Sequence, residues 1–138
     1  MGHLDNLIRL RLYTIIGLMT DIFAEQIATP RYQEIDVEFW VNLEKFYFEC
    51  MLIDGSKVFV AEEYGLLNYR LEIQHYFYGI NDQYGKMIIS FDNAPHYPEL
   101  ATFPHHKHLY PKSKHRPIGF SGDFADALEE IKWILETR

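Results

Sequence analysis

Apolar residues recur every three or four positions over residues 4–23, which is the period of an α-helix. They are Leu4, Ile8, Leu12, Ile15, Met19, Ile22 and Phe23. The pattern predicts an N-terminal helix over residues 4–27. Because its apolar residues extend beyond one stripe, a homodimer formed through this helix is a further expectation.

From residue 35 to residue 92 the pattern becomes that of β-strands joined by short turns. The β-rich runs EKFYFECMLI and KVFVAEE flank DGS, whose Asp-Gly pair suits the positive φ of a tight hairpin turn. The segment DVEFWV is a candidate edge strand, and KMIISF a later one. These runs predict an antiparallel β-meander of four to five strands over about residues 35–92.

The run RLEIQHYFY alternates without a break and predicts which side chains share a face. Leu71, Ile73, His75 and Phe77 fall on one face, and Arg70, Glu72, Gln74 and Tyr76 on the other. We therefore expect His75 in the core, with Tyr76 and Tyr78 facing outward.

After a loop over residues 93–120, the run SGDFADALEEIKWIL predicts a C-terminal helix over about residues 122–136. Ser121 suits its N-cap and acidic residues its first turn. We predict an α+β fold in one domain over residues 1–138, an antiparallel β-meander packed with an N-terminal and a C-terminal α-helix.

The composition indicates a folded protein without a membrane segment. Apolar residues make up 48% of the 138-residue chain and aromatic residues 16%, which is ample for a core. The one cysteine, Cys50, lies in an apolar run and is expected to be a buried, unreactive thiol. The longest apolar stretch near the N-terminus is too short to span a bilayer, and MGHLDN lacks the features of a signal peptide. We expect a cytoplasmic protein without a cofactor.

The net charge of −7 is unevenly distributed along the chain. Residues 100–122 contain four basic side chains and no acidic one, whereas the rest of the chain holds nine basic and twenty acidic side chains. A basic strip of charge +4 therefore accompanies a body of charge −11. Such a strip suits phosphate groups, so RNA is a candidate partner of an otherwise acidic protein.

The same region is rich in histidine and proline. Residues 93–117, NAPHYPELATFPHHKHLYPKSKHRP, hold five of the seven histidines and five of the six prolines. A connection of this length in a small domain is more often functional than idle. The residue types leave three interpretations open: a metal site, acid–base chemistry on a phosphodiester, and a structural loop without chemistry.

For a metal site, His105, His106 and His108 are candidate ligands that Asp92 or His96 would complete. Adjacent side chains of an extended segment point in opposite directions, so His105 and His106 cannot easily share an ion, whereas His106 and His108 could. No cysteine ligand or H-E-x-x-H motif supports the site. We predict no metal site, and a metal-dependent hydrolase is the third alternative.

For RNA cleavage without a metal, one group must take the 2′-hydroxyl proton, another must protonate the leaving oxygen, and a cation must hold the phosphate. Histidine suits both proton transfers near neutral pH. We predict His106 and His108 as this pair, with His105 as a further candidate and Asp92 or His96 orienting an imidazole. The predicted phosphate-binding residues are Lys107, Lys112, Lys114 and Arg116.

The motif DNAPHYPELATFPHHKH, from Asp92 to His108, resembles the TumE family of small bacterial and archaeal proteins, which are assigned as toxins of type II toxin–antitoxin pairs. The resemblance extends over about residues 46–135 and includes the DGS turn and the C-terminal helix. Two features depart from the pattern expected of the family. Tyr97 stands where a second histidine is expected, and the N-terminal helix is longer.

The resemblance implies a cytoplasmic toxin that is restrained by a cognate antitoxin protein. Well-known toxins of similar size and α+β make-up are metal-independent ribonucleases, which agrees with the acid–base interpretation of the histidines. The prediction is therefore a toxin that acts on RNA as an endoribonuclease. The alternative is a non-enzymatic module of the same family whose histidine loop binds a partner protein.

Overall fold

The structure is a computed structural model that describes residues 3–27, 37–41 and 45–137. Helix α1 spans His3–Ile22 and helix α2 spans Phe124–Thr137. The strands are β1 Val37–Val41, β2 Lys45–Met51, β3 Lys57–Leu67, β4 Arg70–Asn81, β5 Met87–Asp92, β6 His106–Leu109 and β7 Ile118–Gly119. They form one sheet in chain order, in which each strand is antiparallel to the one before it.

The predicted α+β fold with a helix near each end is confirmed, and the predicted meander of four to five strands over residues 35–92 corresponds to β1 to β5. The described sheet continues to seven strands, because β6 and β7 form inside the segment 93–120, for which the sequence predicts a loop. Both are short and lie among prolines, so the sequence pattern does not mark them. Helix α1 ends at Ile22, and the predicted residues 23–27 form turns instead. The predicted start of the sheet at residue 35 lies outside the described residues.

Both helices pack on one face of the sheet, which we call the helix face. Ile8, Ile15 and Met19 of α1 and Ala127, Leu128 and Ile131 of α2 share one core with alternate strand residues such as Val60, Ile80 and Phe91. The opposite face is called the open face and carries Tyr47, Ala61, Phe77, Asp92 and His106. The buried residues of α1 and α2 belong to the core on the helix face.

A buried ion pair joins α1 to the sheet within this core. The Glu62 carboxylate is fully buried and accepts two hydrogen bonds from the Arg11 guanidinium, at 3.0 and 2.9 Å. The hydroxyls of Tyr64 and Tyr78 also donate to this carboxylate. Burial and the Glu62 charge both raise the pKa of the two tyrosines, which therefore remain donors. Four donors thus offset the cost of burying one carboxylate.

A β-bulge in β4 reverses the predicted faces of that strand. Glu63 pairs with His75 and the next residue, Tyr64, pairs with Ile73, so Gln74 is an extra residue in β4. One extra residue moves all following side chains to the opposite face. Tyr76 and Tyr78 are therefore buried in the core, with 6% and 1% exposure, and the prediction that they face outward is wrong. His75 is exposed on the open face, so its predicted place in the core is also wrong.

Cys50 is buried in the core as predicted, and burial raises its pKa to about 11. Its thiol is therefore protonated and unreactive at neutral pH. On α1, Leu10 and Tyr13 remain largely exposed, which agrees with apolar residues beyond one stripe. The homodimer expected from them stays a prediction. Among the described residues, no helix is long and apolar enough to cross a membrane.

Candidate active site

The candidate site lies on the open face where β5 and β6 pair. Asp92 is directly opposite His106, and Ser90 is directly opposite His108. Since residues two apart in a strand point to the same face, the two histidines lie side by side. Their ring centroids are 5.0 Å apart and the ring planes are nearly perpendicular.

The His106 ring is held at both of its nitrogens. Nδ1 lies 2.9 Å from the Pro104 carbonyl oxygen, and Nε2 lies 3.1 Å from Oδ1 of Asp92. Both oxygens only accept hydrogen bonds, so the imidazolium form can donate to both, whereas neutral imidazole can donate to only one. The same Oδ1 atom accepts a hydrogen bond from the Ala94 backbone amide at 2.9 Å, which fixes the carboxylate. Asp92 therefore orients His106.

His108 lies beside this pair in a different electrostatic environment. Burial lowers its pKa below the usual 6.5, and the charges of Lys112 and His106 lower it further, against an opposing effect of Asp92. His108 is therefore neutral at pH 7 and has a nitrogen able to accept a proton. Its exposure is 7%, so it reaches the pocket from a protected position.

A pocket of about 340 Å³ opens above the two histidines. Its lining includes Asp92, His96, Tyr97, His106, His108 and Lys112, together with His75 and Phe77 of β4. The Tyr97 ring makes edge contacts with both His106 and His108, at centroid distances of 5.1 and 5.8 Å. Tyr97 adopts a φ of 61°, in the left-handed region that is uncommon for residues other than glycine. Strain of this kind is often found at functional sites.

The structure brings together five of the nine predicted site residues and separates the other four. Asp92, His96, His106, His108 and Lys112 line the pocket. His105 points to the helix face, where Nδ1 lies 2.9 Å from the Tyr76 hydroxyl. Lys107 also lies on the helix face, and its Nζ forms an ion pair with Glu130 of α2 at 2.6 Å.

Lys114 and Arg116 are exposed and do not line this pocket. The predicted basic strip is thus divided among different surfaces. Lys112 is the one predicted cation among the described residues that lines the pocket.

The ligand atoms of Asp92, His106 and His108 all lie within 4.8 Å of one another, which is near enough to hold a divalent metal ion. Two imidazoles and one carboxylate suit zinc or a similar ion. The bond between His106 Nδ1 and the Pro104 carbonyl would leave Nε2 free for a metal, as the second shell of many metal sites does. His106 and His108 lie together in this cluster, whereas His105 lies on the other face of the sheet.

His75 and Phe77 of β4 line the pocket but were not identified from the sequence. The bulge in β4 places them there, and the alternating residues of RLEIQHYFY give no sign of a bulge. Asn93 was also missed. Its side chain accepts a hydrogen bond from the Tyr76 amide at 3.0 Å and donates one to the Gln74 carbonyl at 2.9 Å. Asn93 directly follows Asp92 in the chain. Its two hydrogen bonds therefore hold the bulge of β4 next to the candidate site.

Comparison with protein-family models assigns the chain to a family of toxins. Residues 15–135 match the model of the Toxin TumE family, and the chain therefore belongs to that family. Membership makes it a toxin of the toxin–antitoxin class, with a cognate antitoxin as its partner. No curated protein and no solved structure matched the chain.

Proposed function

We propose that this toxin is a metal-independent endoribonuclease that acts in the cytoplasm through the pocket of Asp92, His106 and His108. One observation supports this proposal above the others. His108, which is neutral at pH 7, lies beside His106, which is bonded to the Asp92 carboxylate. Lys112 lines the same pocket. A base, an acid and a cation are the groups needed to cleave a phosphodiester through its 2′-hydroxyl.

In the proposed reaction, neutral His108 takes the proton of the 2′-hydroxyl, and the 2′-oxygen then attacks the phosphorus. The P–O5′ bond breaks, and the leaving 5′-oxygen takes the Nε2 proton of His106, which before the transfer bonds to Oδ1 of Asp92. His106 is then neutral and keeps its Nδ1–H bond to the Pro104 carbonyl. Lys112 offsets the charge that develops on the phosphate. The products are a 2′,3′-cyclic phosphate and a 5′-hydroxyl, and the 2′-hydroxyl is the nucleophile, so no water molecule is needed for this step.

Labelled single-stranded RNA incubated with purified protein in excess chelator tests this proposal. Wild-type protein is expected to cleave the RNA, and His108→Ala is expected to lose about 10²- to 10⁴-fold in rate, the usual contribution of one proton-transfer group. His115→Ala is the matched control, because His115 is exposed and does not line the pocket.

Equal loss in His115→Ala would show that the effect is not specific to the pocket. Cleavage that persists in His108→Ala would remove the proposed base. A third outcome is that wild-type protein arrests growth but cleaves no RNA, with or without ribosomes. This outcome would favour the alternative, a toxin that acts by binding a partner protein.

A metal-dependent hydrolase is a second candidate, because the ligand atoms of Asp92, His106 and His108 lie within 4.8 Å of one another. Those residues would hold an ion that activates water as the nucleophile. The same assay separates the two candidates. Cleavage that stops in chelator and returns with added zinc favours the hydrolase, and a 2′-deoxy substitution at the cleavage site would then leave cleavage intact.

A further inference from the structure

Five strands of the open face carry a straight row of side chains that ends at the candidate active site. Tyr47 is paired with Ala61, Ala61 with Phe77, Phe77 with Asp92, and Asp92 with His106. Adjacent strands are about 4.8 Å apart, so Ala61 lies roughly 14 Å from His106 along the row. Two aromatic side chains with alanine between them thus stand in line with the proposed catalytic histidine.

A second pocket of about 360 Å³ lies at the alanine. Tyr47, Ala61 and Phe77 line it, with Lys45, Glu63 and His75 around them. The second pocket adjoins the candidate active site, since His75 and Phe77 line both. A single ligand that passes over these two side chains would reach both pockets.

The Phe77 ring lines this pocket and is held by a second ring. It stacks on Phe59, with centroids 5.4 Å apart and planes 17° apart. Phe59 itself does not line the pocket. Stacking on Phe59 also fixes the ring, which reduces the entropy lost when a ligand stacks on it.

The spacing of the row suits a flat aromatic ligand. Tyr47 and Phe77 are two strands apart, roughly 9.5 Å, and Ala61 between them has no side chain beyond Cβ. A ring placed above Ala61 would lie roughly 5 Å from either neighbour, within the range of aromatic pairs. Around it, Lys45 provides a cation and Glu63 and His75 provide hydrogen-bonding groups, all of them exposed.

We propose that the pocket of Tyr47, Ala61 and Phe77 is a nucleobase subsite that holds one base of single-stranded RNA while a neighbouring phosphate lies at His106 and His108. This inference rests on the proposed function and names its substrate as unpaired RNA, because only an unpaired base can enter a pocket between two aromatic rings. Stacking of this kind is tolerant of base identity and adds affinity at each base that it holds.

The test is binding of a 2′-O-methyl RNA oligonucleotide of about eight nucleotides, which has no 2′-hydroxyl and is not cleaved by the proposed reaction. One 2-aminopurine is placed at each position in turn, because its fluorescence falls when it stacks on an aromatic ring. Wild-type protein is expected to bind the oligonucleotide and to quench the fluorescence at one or two positions.

Phe77→Leu keeps an apolar side chain against Phe59 and removes the ring. It is expected to raise the Kd about 5- to 150-fold and to abolish the quenching, whereas Phe77→Trp is expected to retain both. Ala61→Leu fills the space between the rings and is expected to weaken binding in the same range without removing any packing. Phe103→Leu is the matched control, because Phe103 is 43% exposed and lies outside both pockets.

The subsite proposal fails if wild-type protein does not bind the oligonucleotide, or if Phe77→Leu and Ala61→Leu, shown folded by thermal melting, bind and quench like wild type. It also fails if Phe103→Leu loses as much affinity as Phe77→Leu. Failure of the proposed function looks different. In that case the oligonucleotide binds and quenches through Phe77, but RNA is not cleaved or is cleaved equally by His108→Ala.

Discussion

Asp92 and His106 are direct partners across β5 and β6, and Oδ1 of Asp92 lies 3.1 Å from Nε2 of His106. The carboxylate is itself fixed by the Ala94 amide, and the imidazole by the Pro104 carbonyl. The pairing of β5 with β6 thus sets the orientation of Asp92 and His106, and these hydrogen bonds leave either side chain little freedom. The proposed reaction uses this orientation to deliver a proton to the leaving oxygen.

Replacing the carboxylate tests this role. Asp92→Asn keeps an oxygen for the Ala94 amide but removes the charge that faces His106. Charge-assisted hydrogen bonds are stronger than neutral ones. We expect RNA cleavage to slow about 10²-fold, measured as kcat/KM in chelator. Asp21→Asn, an exposed aspartate on α1, is the control and is expected to cleave RNA at the wild-type rate. Wild-type cleavage by Asp92→Asn would contradict an orienting role for this carboxylate.

The pH dependence of cleavage follows from the environment of His108. A proton on His108 would abolish its action as a base, so activity should fall as the pH drops through its pKa. Burial and then the Lys112 charge lower that pKa below 6.5, so the acid limb of kcat/KM should lie below pH 6.5.

Removing the Lys112 charge should raise the pKa of His108 again. For Lys112→Gln we expect the acid limb to move to higher pH and RNA binding to weaken. Lys114→Gln removes a lysine that is exposed and outside the pocket, and we expect its acid limb to match that of wild type. An acid limb in Lys112→Gln that stays in place or moves to lower pH would exclude His108 as the group that titrates.

The buried Glu62 carboxylate should matter for stability. Glu62→Gln leaves the Arg11 guanidinium without its charged partner, while Tyr64 and Tyr78 keep one acceptor between them. Removing one member of a buried ion pair usually costs about 3 to 5 kcal/mol. Because the Arg11 side chain is 21% exposed, we expect the free energy of unfolding to fall by slightly less, about 2 to 4 kcal/mol. Urea unfolding measures it.

Glu63→Gln is the control for the Glu62 variant, because Glu63 is exposed and next to Glu62 in the same strand. Its effect on the free energy of unfolding should be within about 0.5 kcal/mol. Equal stability of Glu62→Gln and wild type would mean that the buried pair contributes no net stabilisation.

Two glycine substitutions should have opposite effects. A Cβ at Gly79 in β4 would lie 2.5 Å from Cζ of Phe59 and 2.7 Å from the Ile89 carbonyl oxygen, so Gly79→Ala should destabilise by about 1 to 3 kcal/mol. A Cβ at Gly17 in α1 would meet nothing within 4 Å, and Gly17→Ala should stabilise the helix by about 0.5 to 1 kcal/mol. Thermal melting distinguishes them, and a stabilising Gly79→Ala would contradict the close packing of Phe59 over β4.

The helices and the strands β2 to β5 were predictable because each has one apolar face with a clear period. The bulge at Gln74 was not predictable, because RLEIQHYFY alternates evenly. The bulge depends on pairing with Glu63 and Tyr64 and on the Asn93 side chain, which lies 19 residues further along the chain. Such contacts exist only once the sheet has formed.

The candidate site was partly predictable from the same rule of alternation. His106 and His108 were expected on one face of an extended segment, and the structure shows them there. The rule also applies to Lys107, which lies between them and must point to the other face, where it pairs with Glu130 of α2. Its grouping with the histidines as a phosphate-binding residue relied on charge alone and ignored direction.

The chemical ends of the RNA fragments test most directly whether Asp92, His106 and His108 form a metal-independent ribonuclease site. Wild-type protein in excess chelator should produce fragments ending in a 2′,3′-cyclic phosphate with a 5′-hydroxyl on the other fragment, and His108→Ala should produce almost none. Fragments that end in a 3′-hydroxyl and a 5′-phosphate, formed only when metal is supplied, would contradict it, because those ends require water and not the 2′-oxygen as the nucleophile.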